Sequence, residues 1–328
     1  MPKHILILGG GSVGKRHAHN LQQLGCRISC MDPQESRLAD VRKSGVDLVH
    51  GCTGLDEALA IEELDGVVVA SPTAFHVDQS IAALGKGLPV LLEKPVSIDL
   101  ADAQRLEAEV TKGRAPLLLG YTWRWWPALM RVRELLEQGI VGSLRSVRFV
   151  MAAHLADWHP WERYQDFFMS DQSLGGGALL DESHWIDLML LFFGMPESLF
   201  GRVEKISDLE ISSDDNVDVF AEYGDGKRVM LHLDLYTRPH EKSITFVGEK
   251  GTLRWEVDRI TWSAAMEGEW REEAFDNDRN DMFMDVAREF LGVVDGAQPS
   301  CTIADGLRVM RTIEAVRESS DSGAVVIF

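Results

Sequence analysis

Short apolar runs alternate with stretches of helical spacing over the first third of the chain. The runs are HILIL at 4–8, RISCM at 27–31, GVVVA at 66–70, LPVLL at 88–92 and PLLLG at 116–120. Continuous apolar runs of about five residues suit strands buried on both faces, as in a parallel sheet between helix layers. Between them Val13–Leu24, Ser36–Lys43 and Asp99–Val110 carry apolar residues at amphipathic-helix spacing. Repeated strand–helix units predict a doubly wound parallel sheet, an α/β domain over residues 1–122.

Beyond residue 123 the pattern shifts to alternation. Ser143–Ala152, Val217–Tyr223, Arg228–Leu235, Ser243–Val247 and Gly251–Val257 read as strands, with turn residues at Gly224-Asp225-Gly226 and Gly248–Gly251. Helices are expected at 280–292 and 302–318. This predicts an α+β domain over 123–328 with a mostly antiparallel sheet, and a cleft near the junction at 120–127.

Composition narrows the function classes. The 328 residues hold 33 basic and 52 acidic side chains, a net charge of −19, which disfavours nucleic acid and anionic membrane as partners. Cys26, Cys30, Cys52 and Cys301 form no CxxC pair and read as reduced thiols. The apolar run after MPK is too short for a signal peptide, and nothing approaches the ~18–20 apolar residues of a membrane span. A cytoplasmic protein is expected. No Cys/His set has metal-ligand spacing, so no metal is expected.

The first strand runs straight into Gly9-Gly10-Gly11-Ser12-Val13-Gly14, followed by helical residues. In GxGxxG, Gly9 serves the tight turn, Gly11 lets backbone approach a pyrophosphate, and Gly14 lets the helix pack on the strand. The helix start then offers free amides at Ser12 and Val13. Asp32 ends the second strand, where a carboxylate takes the adenosine ribose hydroxyls and repels a 2′-phosphate. NAD is therefore the expected cofactor, with Arg37 nearby keeping NADP open.

LLEKPVSIDLADAQRL at 91–106, Ser71-Pro72-Thr73 with His76, GYTWRWWPALMRVRELLEQGIVGSL at 120–144, GGGALLDESHWID at 175–187 and ITFVGEKGTL at 244–253 carry a family resemblance. Together they resemble the glucose–fructose oxidoreductase/inositol dehydrogenase (Gfo/Idh/MocA) family, over essentially the whole chain. That resemblance implies a Rossmann domain followed by an α+β domain whose open sheet makes a homodimer or homotetramer. It also implies hydride transfer between nicotinamide and a CH–OH group of a sugar, sugar acid or nucleotide sugar. Ser71, Pro72, Thr73, His76, Glu93, Lys94 and Arg124 would then lie at the cofactor, and Lys94 and His184 would be catalytic.

The chemistry fits those residue types. Oxidising CH–OH requires a base for the hydroxyl proton, and a histidine near neutrality supplies one while an ammonium steadies the developing alkoxide. Helical spacing puts Asp181 and His184 one turn apart, so Asp181 is a candidate to orient the imidazole, with Asp187 the alternative. Gly175–Gly177 would let backbone approach a ligand. Glu182 is assigned to the helix dipole alone. Many family members have three residues between this aspartate and histidine, whereas Glu182 and Ser183 are two. Trp158, His159 and Tyr164 are candidate substrate contacts beside Asp181 and His184, and Trp123 and Trp126 core or cofactor-lining groups. Two other functions stay open: an NAD-dependent glycosidase of the same family, and a non-catalytic dinucleotide- or sugar-sensing regulator.

Overall fold

A computed structural model describes residues 2–158, 162–264 and 268–328. In chain order the elements are β1 (His4–Leu8), α1 (Ser12–Gln23), β2 (Arg27–Met31), α2 (Glu35–Lys43), β3 (Leu48–Cys52), α3 (Leu55–Leu59), β4 (Gly66–Val69), α4 (His76–Gly85), β5 (Val90–Leu92), α5 (Leu100–Thr111) and β6 (Leu117–Leu119). There follow α6 (Pro127–Glu137), β7 (Leu144–Ala152), α7 (Ala178–Asp181), α8 (Ser183–Phe193), β8 (Ser198–Glu204), β9 (Asn216–Glu222), β10 (Arg228–Asp234) and β11 (Glu241–Gly248). The last are β12 (Thr252–Glu256), β13 (Arg259–Ser263), β14 (Arg271–Ala274), α9 (Arg279–Val294), α10 (Ile303–Ser322) and β15 (Val326–Ile327).

The chain forms two compact units. The first comprises Met1–Thr122 and Arg279–Met310, the second Trp123–Asp278 and Arg311–Phe328. The expected boundary left all of 123–328 in the second domain, whereas α9 and the first half of α10 return to the first. The reason is complementary packing. A Cβ on Gly66 would stand 2.9 Å from the Phe290 ring, and one on Gly306 would stand 2.4 Å from Val96 and 2.6 Å from Leu119. Small residues at these two places let α9 and α10 sit directly on the sheet layer.

In unit 1 the six strands are parallel, in the order β3-β2-β1-β4-β5-β6. β1, β4, β5 and β6 are wholly buried, as their continuous apolar runs require. β3 is one edge strand, and three of its five residues are exposed. The order reverses between β1 and β4, which is where sheets of this kind open a ligand crevice at the strands' carboxyl ends.

Unit 2 holds a nine-stranded sheet in the order β14-β13-β12-β11-β7-β10-β9-β8-β15, antiparallel except for the β7–β10 pair. One face carries Val147, Phe149, Leu231, Ile244, Phe246 and Trp255, all buried. The other carries the cross-strand row Thr245, Arg148, Met230, Phe220 and Phe200. Beside it His232 stands opposite both Val150 and Asp218. This is period-two alternation with one covered face and one bare.

Candidate active site

At the end of β1, Gly9 turns the chain with φ +103° and donates its N–H to Met31 O at 2.8 Å. A Cβ there would lie 2.7 Å from both Ala70 O and Ser71 N, so the loops after β1 and β4 touch at the crevice. A Cβ on Gly14 would stand 1.8 Å from Gly9 O, so only glycine brings α1 this near the turn. A Cβ on Gly11 would meet nothing within 4 Å. Gly11 is the N-cap of α1, no side chain caps that end, and its first turn holds no acid. The leading amides, those of Ser12 and Val13 included, thus face an open space with the positive end of the helix behind them.

Asp32, 9% exposed, accepts from Gly10 N (2.9 Å) and Gln34 N (2.9 Å), one amide on each oxygen. Each oxygen keeps a second lone pair for a hydroxyl donor. The open glycine turn, the uncapped helix start and this fixed carboxylate fit a dinucleotide: pyrophosphate on the amides, ribose on Asp32.

Ser71 donates its hydroxyl to Gln79 at 2.8 Å, Pro72 leads into a 3₁₀ turn at Thr73–Phe75, and Thr73 is buried. His76 and Glu93 are buried with inward-facing polar atoms. His76 Nδ1 lies 2.7 Å from Pro95 O and Nε2 2.9 Å from Ser71 O, while Glu93 Oε1 lies 2.6 Å from His17 Nε2. Burial pushes the His76 pKa below its ordinary value, against the pull of the two carbonyls. The ring nitrogens of His76 and this Glu93 oxygen are thus engaged by the protein itself. Lys94, between Glu93 and Pro95, is partly exposed at the carboxyl end of β5.

In unit 2 the expected single helix is two. α7 ends at Asp181 and α8 starts at Ser183, with Glu182 between them at φ −91° and ψ 19°. Asp181 and His184 therefore do not sit one turn apart on one helix. Asp181 is buried and His184 partly exposed. Glu182 is buried too, and its carboxylate accepts the Trp185 indole N–H at 3.1 Å, beyond the dipole role expected. Asp187, the other candidate partner of His184, receives a two-pronged bond from Arg124: Nε to Oδ2 at 2.8 Å and Nη2 to Oδ1 at 2.5 Å. Arg124 and Asp187 are 10% and 2% exposed, so Arg124 is held as half of a buried ion pair.

Gly176 and Gly177 serve close packing within the chain. A Cβ on Gly176 would lie 2.3 Å from Met169 O, and one on Gly177 2.2 Å from the Asp214 carboxylate. Asp214 accepts Leu179 N at 2.8 Å and so caps α7 from 35 residues downstream, a residue no local pattern picks out. Its burial pushes its pKa above the usual carboxylate value.

Trp123 packs on Trp126, Trp185 and Trp255 with ring centroids 5.4, 6.1 and 5.8 Å away. Trp123 and Trp126 are core. Trp158 is half-buried, its indole nitrogen is covered and no protein group accepts from it among the described residues. His159 lies outside the described residues. The Tyr164 hydroxyl accepts Glu210 N at 3.2 Å. Asp157, next to Trp158, is bound through both oxygens by Arg238 at 2.7 Å, which holds its carboxyl below the usual range.

All four cysteines are free and buried, and burial pushes the Cys30 thiol up to about 12. Among the described residues no group of three or more His, Cys, Asp or Glu is placed to hold a metal ion, and no helix is long and apolar enough to cross a membrane.

Comparison with known proteins follows the same division. Residues 3–121 match the oxidoreductase family with an NAD-binding Rossmann fold, and residues 129–254 match the GFO/IDH/MocA C-terminal domain. An uncharacterised oxidoreductase of Streptococcus pneumoniae is 23% identical over 270 residues, 80% of this chain and 71% of that protein. An inositol 2-dehydrogenase of Streptomyces avermitilis is 34% identical over 142 residues, 42% of this chain and 41% of its own length. Among solved structures, a levoglucosan dehydrogenase in complex with NADH and levoglucosan superposes with a TM-score of 0.87 at 16% identity. That likeness of fold covers 100% of this chain and 99% of the other.

Proposed function

The chain belongs to the GFO/IDH/MocA oxidoreductase family, and on that premise we propose that Lys94 and His184 serve hydride transfer at a CH–OH group of a sugar-like substrate. The cofactor supplies one thing the chain cannot, a ring carbon that accepts or returns hydride. Everything else falls to side chains. Gly11 and the start of α1 hold the pyrophosphate, and Asp32 holds the ribose and turns away a 2′-phosphate, so NAD is preferred. Lys94 steadies charge on the reacting oxygen and His184 takes its proton. Asp181 serves this step only by orienting His184, and Trp158 and Tyr164 belong to the sugar side.

The observation that carries the reading lies in unit 1. Lys94 stands at the carboxyl end of β5, on the sheet edge where β1 and β2 place the glycine turn and Asp32. The relatives support the substrate class, since one is named for inositol and another was solved with levoglucosan. The bare face of the nine-stranded sheet, with Phe220 40% exposed, supports a homodimer or homotetramer through that face. Free, buried cysteines support a reducing compartment such as the cytoplasm.

The test has two stages. Thermal shift with NAD⁺, NADH, NADP⁺ and NADPH should give the larger stabilisation with the NAD pair. Reduced-nicotinamide absorbance is then followed with polyols, sugars, sugar acids and nucleotide sugars. Turnover with one class, lowered about 100-fold or more in Lys94→Ala and His184→Ala, is expected. Tight binding of NAD without net NADH, but with glycoside cleavage, would replace this reading with the glycosidase.

A further inference from the structure

Two buried histidines that the hydride step does not use flank the catalytic lysine. His17 is 0% exposed on the inner face of α1, and its Nε2 lies at hydrogen-bond distance, 2.6 Å, from Glu93 Oε1. The other side of that carboxylate is walled by Gly120, where a Cβ would stand 3.2 Å away. His76 is 1% exposed at the start of α4 and spans the carbonyls of Pro95 and Ser71. One histidine thus grips the residue before Lys94 and the other the residue after it.

Packing alone does not call for either contact. A buried polar pair is commonly no more stabilising than apolar groups of the same volume, and α1 could fill the His17 position with leucine. What the pair provides is direction. A lysine side chain has many rotamers, so the ammonium can be placed reproducibly only if the backbone carrying it is fixed. Glu93 and Pro95 are the two ends of that backbone segment. The His17–Glu93 contact also ties it to α1, the helix of the dinucleotide turn, and His76 ties it to the loop after β4.

We propose that His17 and His76 are positioning residues for Lys94, His17 acting through the Glu93 carboxylate and His76 through the Pro95 carbonyl. The inference rests on the reading of Lys94 as a group of the hydride step. The contacts of His17 Nε2 and of both His76 ring nitrogens are with the protein itself.

His17→Leu and His17→Gln test the first arm, and His76→Leu the second. In each, Lys94 reactivity toward limiting acetic anhydride is read by peptide mass spectrometry against exposed Lys86 of the same molecule. The folded Leu variants should change Lys94 labelling at least about threefold relative to Lys86. They should also lose about tenfold or more in kcat, with NADH affinity of the His17 variants within about twofold of wild type. His17→Gln, which keeps an N–H donor, should recover most of both. On a Lys94→Ala background, His17→Leu should cost nothing further. Unchanged labelling and kcat in a folded Leu variant, or losses that multiply on the Lys94→Ala background, would overturn the proposal. If His17→Leu does not fold, Glu93→Gln takes its place, with unchanged Lys94 labelling as the overturning result. Labelling needs no turnover, so it decides this inference even if the dehydrogenase reading fails.

Discussion

Gly14 is the residue with least freedom in the dinucleotide turn. A methyl group there would overlap the Gly9 carbonyl at 1.8 Å, and both atoms belong to backbone that the sheet holds. Gly14→Ala should therefore cost about 3 kcal/mol or more in denaturant unfolding and abolish NADH binding, because α1 must move off the turn. In the proposed reading Asp32 acts by charge instead. Asp32→Ser removes the carboxylate but keeps a hydroxyl, and should move the NADP/NAD affinity ratio toward NADP by about tenfold or more, read by fluorescence titration. A third residue reports on pH. His232 lies between Asp218 (2.7 Å) and Asp234 (3.1 Å); the bond to Asp234 first, then that to Asp218, carries its pKa up to about 9 against the burial that lowers it. A raised folded pKa means the imidazolium's stabilisation is complete below the unfolded value of about 6.5 and is lost as pH rises through about 9. The Tm gap between wild type and His232→Gln should accordingly narrow from about pH 6.5 upward; a gap that widens with pH would contradict this assignment.

The elements were legible to the extent that their causes were local. β1, β4, β5 and β6 follow from unbroken apolar runs, and the α1 boundary from GxGxxG, because burial and backbone sterics act within a few residues. The division of α7 from α8 was not, because its partners are distant or packed from the side. Asp214 caps α7 from beyond β8, and Glu182 turns inward to meet the Trp185 indole. Helical spacing alone placed Asp181 and His184 on one face. His184 as a candidate base was visible from residue type and motif; the geometry around it was not. Asp214→Ala should lower stability by about 1 kcal/mol through the lost cap. Trp185→Ala should lower it by about 3–5 kcal/mol, since Trp185 is fully buried against Trp123 and Trp255. Comparing the two by chemical denaturation separates the cap from the core it rests on.

At the scale of the whole molecule, unit 1 is assembled from two stretches of chain, and the return of 279–310 was hidden from the sequence. α9 reads as an ordinary amphipathic helix, and only the small residue at Gly66 marks where Phe290 lands. His17 carries no local mark of its partner for a related reason. Its role depends on Glu93, 76 residues away, although its place on the buried face of the glycine-turn helix offered a signal. The net charge of −19 leaves the folded chain under self-repulsion, yet the site asks for an anionic dinucleotide. Binding must therefore rest on oriented amides close to the phosphates rather than on the field of the molecule.

The claim at the centre of this account is that hydride passes directly between a carbinol carbon and nicotinamide under the control of Lys94 and His184. The measurement that meets it most directly follows deuterium from the panel sugar giving the strongest turnover, labelled at its carbinol carbons and incubated with NAD⁺. One deuterium in each reduced nicotinamide, formed at least about 100-fold more slowly by Lys94→Ala and His184→Ala, is the predicted result. Reduced cofactor without deuterium, or transfer at the wild-type rate in either variant, would contradict it.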